Sequence, residues 1–398
     1  MPKVLIINNR FTIGGPTIHT ALLAKYLADD FEVLLVGGLA ADGEANGIYI
    51  LEQYGIKPRI IKILGRSINP FKDFKAYLNI KKIIKEFQPD IVHTHAFKPG
   101  FFGRIAASNL KVPVIIHTFH GHLFQFYYSK FLSKVLIRIE KYLARKSNKI
   151  IAISALQKED LIKRFNICNE AKIELIPIGI ETEQFQENII DKRKEFRKTF
   201  KIDDDEIAIG IVGRIVKVKN HELFLKAIDF VVKNSDKKIR AFIFGDGIER
   251  GKIKSLASDL NIDSSDWNNQ NSKSTLTFVS WYKEIEMAFA GMDIIAQTSL
   301  NEGTPLSLME AQASSKPIVS TDVGGIRDIT ISGKTALLSD GNDEKMFFDN
   351  LLIMVKDDNL RHEMSVNSLE YSNEKFHYST MIESLKKLYN NLLSQADY

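Results

Sequence analysis

The run Asp293-Ile294-Ile295-Ala296, followed a few residues later by Asn301-Glu302-Gly303-Thr304-Pro305-Leu306-Ser307-Leu308-Met309-Glu310-Ala311, reads as a strand, a loop and a helix. The first run is apolar and of strand length, and Pro305 suits the first turn of a helix, where a missing N–H leaves nothing unpaired. Such units feed parallel sheets. The pattern recurs in both directions. Strands are expected at Val4–Asn8, Glu32–Val36, Ile91–Thr94, Val114–Thr118, Ile150–Ile153 and Ile173–Ile176, and again at Ile207–Val212, Ala241–Phe244, Leu276–Phe278 and Ile318–Ser320. Helix-like segments separate them, among them Ala21–Ala28, Phe71–Phe87, Phe101–Asn109, Leu132–Arg145 and Leu156–Phe165. The expected architecture is α/β, two doubly wound domains in series that meet after Pro177-Ile178-Gly179. Glu181–Asp205 reads as a charged connection with a helix over Ile190–Thr199, Asp263–Ser274 as an exposed loop, and Glu344–Leu393 as helical with breaks near Asp357 and Phe376.

With 398 residues, 44% hydrophobic and 26% charged, the chain can bury two cores. Its single cysteine, Cys168, excludes an internal disulfide and a cysteine metal cluster, and a reducing, cytoplasmic setting is expected. The N-terminus enters a strand without a signal-peptide pattern, and no apolar run approaches the roughly 18 residues of a membrane span. Residues 1–180 hold 26 Lys and Arg against 14 Asp and Glu, whereas residues 181–398 hold 28 against 35. Either a general bias toward lysine or an anionic partner for the first half accounts for this asymmetry.

Four stretches carry candidate chemistry. Gly14-Gly15-Pro16, between the first strand and a helix expected to start near Thr17, lets backbone amides approach a phosphate or a sugar hydroxyl; a plain tight turn fits equally, and the spacing is not that of a dinucleotide site. Five histidines, His93, His95, His117, His120 and His122, cluster at two strand ends. They read either as zinc ligands or, in the preferred reading, as one substrate contact among structural neighbours, because no carboxylate or cysteine completes a coordination set. Gly213-Arg214 with Lys219 suits a diphosphate, Arg as a fork and Lys as a point charge, unless the loop is merely solvated. Glu310 interrupts the apolar run Leu306, Leu308, Met309, Ala311, where a bare carboxylate is costly without a partner. Ribose hydroxyls or a structural Arg would serve, and Glu302 could meet a second polar group. Amides around Gly303 and Thr304 would face an anion at the helix start.

In combination these residues resemble the retaining glycosyltransferases of family four, with the GT-B fold of two Rossmann-like domains facing across a cleft. Glu302 and Glu310 match the family's paired glutamates. The Gly14-Gly15 loop, Thr118-Phe119-His120-Gly121, Gly213-Arg214 with Lys219, Gly245-Asp246-Gly247 and Gly324-Gly325 follow in order over nearly the whole chain. Asn220 departs from the glycine that many relatives place after the lysine. The resemblance implies an acceptor-binding domain over 1–180, a donor domain over 181–375, and a C-terminal helix within 376–398 that returns to the first domain. It also implies a hexosyl or N-acetylhexosaminyl transfer in which Arg214 and Lys219 hold the donor diphosphate, Glu310 the ribose, Glu302 the transferred sugar, and His120 the sugar or reaction centre. Gly303, Thr304 and Leu306 beside Pro305 complete the phosphate cradle, with Gly14, Gly15, Gly213, Gly245 and Val279 as further donor contacts.

No metal and no cofactor is expected. The only Asp-x-Asp, Asp203-Asp204-Asp205, lies in the connection rather than at a strand end. Val279-Ser280-Trp281-Tyr282 is similar to the base-binding edge of UDP-using relatives, so a UDP-sugar is favoured over a GDP-sugar. The expected acceptor is a lipid-linked glycan of surface polysaccharide synthesis. Phe124–Lys149, with seven basic residues against Glu140 alone, reads either as an interfacial helix on an anionic membrane surface or as a solvated helix with its apolar side in the core. Two rivals are a hydrolysing UDP-sugar epimerase of the same fold and a nonenzymatic anion- or nucleic-acid-binding protein. The latter lacks any recognisable nucleic-acid motif, and no nucleic-acid partner is expected.

Overall fold

The computed structural model describes residues 1–41, 44–65, 69–121, 130–267 and 273–396. The chain divides into two units, Met1–Gly179 with Tyr378–Tyr398, and Ile180–His377. Among the described residues each unit is built on a parallel seven-stranded sheet.

The strands of the first unit are β1 (Lys3–Phe11), β2 (Glu32–Leu39), β3 (Arg59–Ile60), β4 (Ile91–His95), β5 (Val114–Phe119), β6 (Lys149–Ala152) and β7 (Ile173–Leu175), in the order β3-β2-β1-β4-β5-β6-β7. β1, β4 and β5 are apolar because both of their faces are covered. Val4, Ile6, Ile91, Val114 and Ile116 pack toward the helices Gly15–Tyr26 and Tyr378–Ala396, while Leu5, Ile7, Val92 and Ile115 pack toward Pro70–Phe87 and Phe97–Asn109. The last helix of the chain thus belongs to the first unit's core. Its Tyr389 is fully buried beside Phe31, with ring centroids 5.5 Å apart.

The second unit continues with β8 (Glu206–Val212), β9 (Lys238–Phe244), β10 (Ser264–Asp266), β11 (Leu276–Val279), β12 (Ile294–Gln297), β13 (Ile318–Asp322) and β14 (Ala336–Asp340), in the order β10-β11-β9-β8-β12-β13-β14. Three strands depart from the sequence reading. β3 has two residues and β14 follows the last expected strand. β10 lies in the segment expected to be an exposed loop: Ser264, Ser265 and Asp266 pair with Leu276, Thr277 and Phe278, and Ser274 is buried. A polar edge strand hides its sheet character, since one side needs no apolar partner. The segment Leu156–Phe165, expected as one helix, is an α-helix to Glu159 and a π-turn from Asp160 to Arg164.

The helix Lys130–Lys146 turns Leu136, Leu143 and Ala144 into the core, and its Glu140 forms a fully buried ion pair with Arg104 at 2.7 Å. That part of its apolar side is therefore occupied within the unit, whereas Phe131 and Tyr142 are exposed. The part of that stretch over 124–129 lies outside the described residues. Among the described residues no helix is long and apolar enough to cross a membrane.

Candidate active site

In the second unit, the site residues lie where β8, β9, β12 and β13 end. β8 runs into Gly213, and Gly213 N donates to the carbonyl of Phe244 at 2.9 Å. Gly245, at φ +138°, lies so close that an added Cβ would stand 2.1 Å from the Gly213 carbonyl oxygen, so the crossing of these two strand ends requires glycine. The chain then makes a short turn over Lys217–Lys219. Asn220 closes it in the left-handed region at φ +49° and opens the helix His221–Asn234. Asparagine tolerates that conformation, so its departure from glycine leaves the turn intact.

Two bonds fasten this turn to the end of β12: Leu300 N donates to Val218 O at 2.8 Å, and Thr298 Oγ1 to Lys219 O at 2.9 Å. They bring Lys219 to Glu302. Its Nζ stands 2.5 Å from Glu302 Oε1, and the same oxygen accepts from Gln297 Nε2 at 2.6 Å and Ser299 Oγ at 2.5 Å. Glu302's backbone is seated against Gly324, φ +58°, whose added Cβ would meet the Glu302 carbonyl oxygen at 1.9 Å. Lys219 and Arg214 therefore differ in state. Lys219 is paired with Glu302, whereas the exposed Arg214 makes no ion pair or hydrogen bond among the described residues.

Pro305 is the N-cap of the helix Leu306–Ala313, one residue before the helical turn in which it was expected. Thr304 Oγ1, just before it, is buried without a hydrogen-bond partner. Glu310 is 8% exposed, and no arginine or other described group bonds its carboxylate, which removes the structural-ion-pair reading. Burial, with the charge of Glu286, pushes its carboxyl up to about 7. The unit thus holds a free guanidinium, an ammonium–carboxylate pair, an orphan hydroxyl and a buried carboxyl without a partner. Val279, the last residue of β11, accepts from Gly245 N at 2.9 Å through its carbonyl, and Ser280 Oγ donates to Asp246 Oδ2 at 2.9 Å. The Tyr282 ring lies among Phe196, Phe200 and Phe244.

In the first unit, Gly14 caps the helix Gly15–Tyr26, and an added Cβ there would meet nothing within 4 Å. The histidines separate into two groups. His93 is held by Tyr389 Oη at 2.6 Å and Thr118 Oγ1 at 2.7 Å, and His117 by Thr94 Oγ1 at 2.9 Å; both are structural. His95 Nδ1 and His120 Nε2 share a hydrogen bond of 3.0 Å, and His19, from the first helix, completes a triangle with them. Their ligating nitrogens lie within 4.8 Å of one another, so these three could hold a metal ion. Both His19 nitrogens and His95 Nε2 are buried without partners. Burial keeps the cluster neutral, lowering His93 to about 3 and His120 to about 4, with His19, His95 and His117 well below the ordinary histidine value. His122 lies outside the described residues.

The Glycosyltransferase Family 4 model matches residues 13–184, and the Glycosyl transferases group 1 model matches residues 192–370. The chain belongs to the family-four glycosyltransferases. Among its relatives, the UDP-Gal:alpha-D-GlcNAc-diphosphoundecaprenol alpha-1,3-galactosyltransferase of Escherichia coli is 28% identical, over 85% of this chain and 84% of the relative. The capsular polysaccharide biosynthesis glycosyltransferase CapM of Staphylococcus aureus is also 28% identical, over 87% and 88%. HepE from Anabaena, solved in complex with UDP and glucose, superposes with a TM-score of 0.80 at 17% identity, covering 98% of this chain and all of that one; this likeness shows the GT-B fold.

Sequence reasoning about this glycosyltransferase missed three polar residues of the site region. Gln297 and Ser299 carry no signal beyond their place between a strand end and Glu302. His19 sits in an ordinary helical run, and only packing against β4 and β5 reveals it. The third member of the cluster is another histidine rather than the carboxylate or cysteine that a metal site would have called for.

Proposed function

We propose that this glycosyltransferase moves a hexosyl or N-acetylhexosaminyl unit, with retention at the anomeric carbon, from a UDP-sugar to a hydroxyl of a lipid-linked glycan intermediate in surface polysaccharide synthesis, at the cytoplasmic face of the membrane. The observation that carries this reading is the contact between Lys219 and Glu302 beside the unpaired Arg214. As the bond to the sugar breaks, negative charge develops on the leaving diphosphate. Arg214, Lys219 and the amides of Gly303, Thr304 and Leu306 stabilise it by charge already in place. Glu302, turned by Lys219, Gln297 and Ser299, accepts from sugar hydroxyls, and Glu310 from the ribose. On binding, the Glu310 carboxyl releases its proton to solvent and its carboxylate accepts from the ribose O–H instead. Gly14 and Gly15 supply amides to the donor, and Val279 with its following loop borders the base.

His120 enters as a neutral imidazole that can accept a hydroxyl proton or donate one, a role assigned by the family resemblance. The charge on the diphosphate is met by Arg and Lys, so the reading requires no metal. The lipid-linked acceptor is supported by the substrate in the name of the Escherichia coli relative. The test is incubation with UDP-sugars and a lipid diphosphate glycan, with the new linkage read by NMR. An α-linked product from an α-linked donor is expected. A β-linked product would overturn retention, and donor epimerisation without acceptor would favour the epimerase.

A further inference from the structure

Three imidazoles carried by three different elements meet in the first unit. His19 comes from the helix Gly15–Tyr26, His95 ends β4 and His120 follows β5. Their ring centroids form a nearly equilateral triangle, 5.4 Å for His19 and His95, 5.0 Å for His19 and His120, and 5.2 Å for His95 and His120. The 3.0 Å between His95 Nδ1 and His120 Nε2 is close to the roughly 3.3 Å that two nitrogens keep across a tetrahedral ion. Both nitrogens of His19 and the Nε2 of His95 are buried without a partner, although buried polar atoms are as a rule paired. His93, whose ring lies 4.2 Å from that of His95, shows the contrast: Tyr389 and Thr118 take both of its nitrogens. Burial keeps the three unsatisfied rings neutral at pH 7, so their lone pairs are free of protons.

We propose that His19, His95 and His120 form a binding site for a divalent ion of the zinc class, with a fourth position open to water or hydroxide. The donor set selects the ion. Imidazole nitrogens suit zinc and its transition-metal neighbours, whereas magnesium and calcium take oxygen ligands, and among the described residues the group contains no carboxylate. Three protein ligands leave one tetrahedral position unfilled. An ion there gives His19 the partner that it lacks in the chain and replaces the bond between His95 and His120 with two bonds to metal. His120, the one member that is only partly buried, gives the ion its way in. Bound zinc also occupies a lone pair of His120, which the proposed reaction reserves for a hydroxyl proton, so the ion should slow transfer. That consequence rests on the role given to His120; the binding does not.

The test is titration of the full chain, first freed of metal with a chelator, with Co²⁺ followed by visible absorption and with Zn²⁺ followed by equilibrium dialysis and thermal melts; Mg²⁺ is the control. Wild type is compared with His19→Leu and His95→Gln. Wild type is expected to bind one Zn²⁺ per chain, to melt at a higher temperature with it, and to give the Co²⁺ absorption of a tetrahedral site. Each variant should bind Zn²⁺ at least about a hundredfold more weakly, beyond what the loss of a group behind a ligand costs. Absence of wild-type binding, stabilisation by Mg²⁺ equal to that by Zn²⁺, or Zn²⁺ binding that both variants retain overturns the proposal. Initial transfer rates with and without Zn²⁺ complete the test: the ion should lower the rate of wild type and leave that of His19→Leu at its own metal-free value. If Zn²⁺ binds as expected but wild-type transfer is unchanged, the role of His120 in the reaction fails and the metal site stands.

Discussion

Lys219 Nζ and Glu302 Oε1 lie 2.5 Å apart, and the carboxylate oxygen that receives the lysine also receives Gln297 and Ser299. One oxygen of Glu302 is thereby fixed by three donors, and the lysine is fixed by the acid. The pair is a single unit: whatever moves Lys219 toward a diphosphate also changes the charge at Glu302. Lys219→Ala should lower kcat by about 10²–10³ with an unchanged circular dichroism spectrum, since Gln297 and Ser299 still satisfy the carboxylate. Lys219→Arg should not restore the rate, because a planar fork does not replace a point charge at this distance. Equal turnover in Lys219→Ala would remove the residue from the mechanism.

Glu310 gives a pH dependence whose sign is fixed by its direction of shift. Its carboxyl is raised from 4.5 to about 7 in the folded chain, so the folded state binds this proton more tightly than the unfolded state. Its contribution to stability is full below pH 4.5 and is lost as pH rises through about 7. Glu310→Gln, neutral throughout, should match wild type in stability at about pH 5 and exceed it at about pH 8.5, by up to roughly 3 kcal/mol. The same variant should lose nucleotide affinity. A thermal melt series across this range checks both statements, and a variant less stable than wild type at the higher pH would show that the carboxylate has a partner after all.

The buried histidines act in the opposite direction. Their values lie below 6.5, with His93 near 3 and His120 near 4, so the stability they contribute is present above pH 6.5 and is lost as pH falls toward those values. Each adds about 1.4 kcal/mol per pH unit in that window. Tm should therefore fall steeply on acidification. His19→Leu should flatten the fall and leave Tm at pH 7 equal or higher, because both nitrogens of His19 lack partners. Hydrogen exchange at about pH 5 should locate the first opening in the unit that contains these histidines.

Gly324 and Gly55 both have positive φ, +58° and +68°, but only Gly324 has a neighbour where a Cβ would stand. Gly324→Ala must displace the Glu302 backbone and should cost several kcal/mol, with a loss of turnover. Gly55→Ala should cost only about 1 kcal/mol and leave kcat unchanged. Denaturant melts and initial rates on the two variants separate conformational strain from the specific contact.

The βα alternation was legible because buried parallel strands must be apolar on both faces: Ile207–Val212 and Val114–Thr118 announce themselves, and β8 and β5 fall on them within a residue. The helix breaks at Asp357 and Phe376 were equally legible, since Asp357 caps the following helix through Leu360 N. β10 was not, because Ser264-Ser265-Asp266 has no side-chain signal and depends on a neighbouring strand for its existence. Glu310 stood out as one acid in an apolar run. The cluster of His19, His95 and His120 did not, because it joins three elements far apart in sequence, and no local pattern records which helix packs over which strand end.

The most direct test of the donor-site account is thermal stabilisation by UDP, GDP and ADP, measured on wild type, Arg214→Ala and Glu310→Ala. The account predicts a shift with UDP alone, lost in both variants while each remains folded. A shift with GDP or ADP alone would contradict the choice of base. A UDP shift retained by both variants would contradict the assignment of the diphosphate to Arg214 and of the ribose to Glu310.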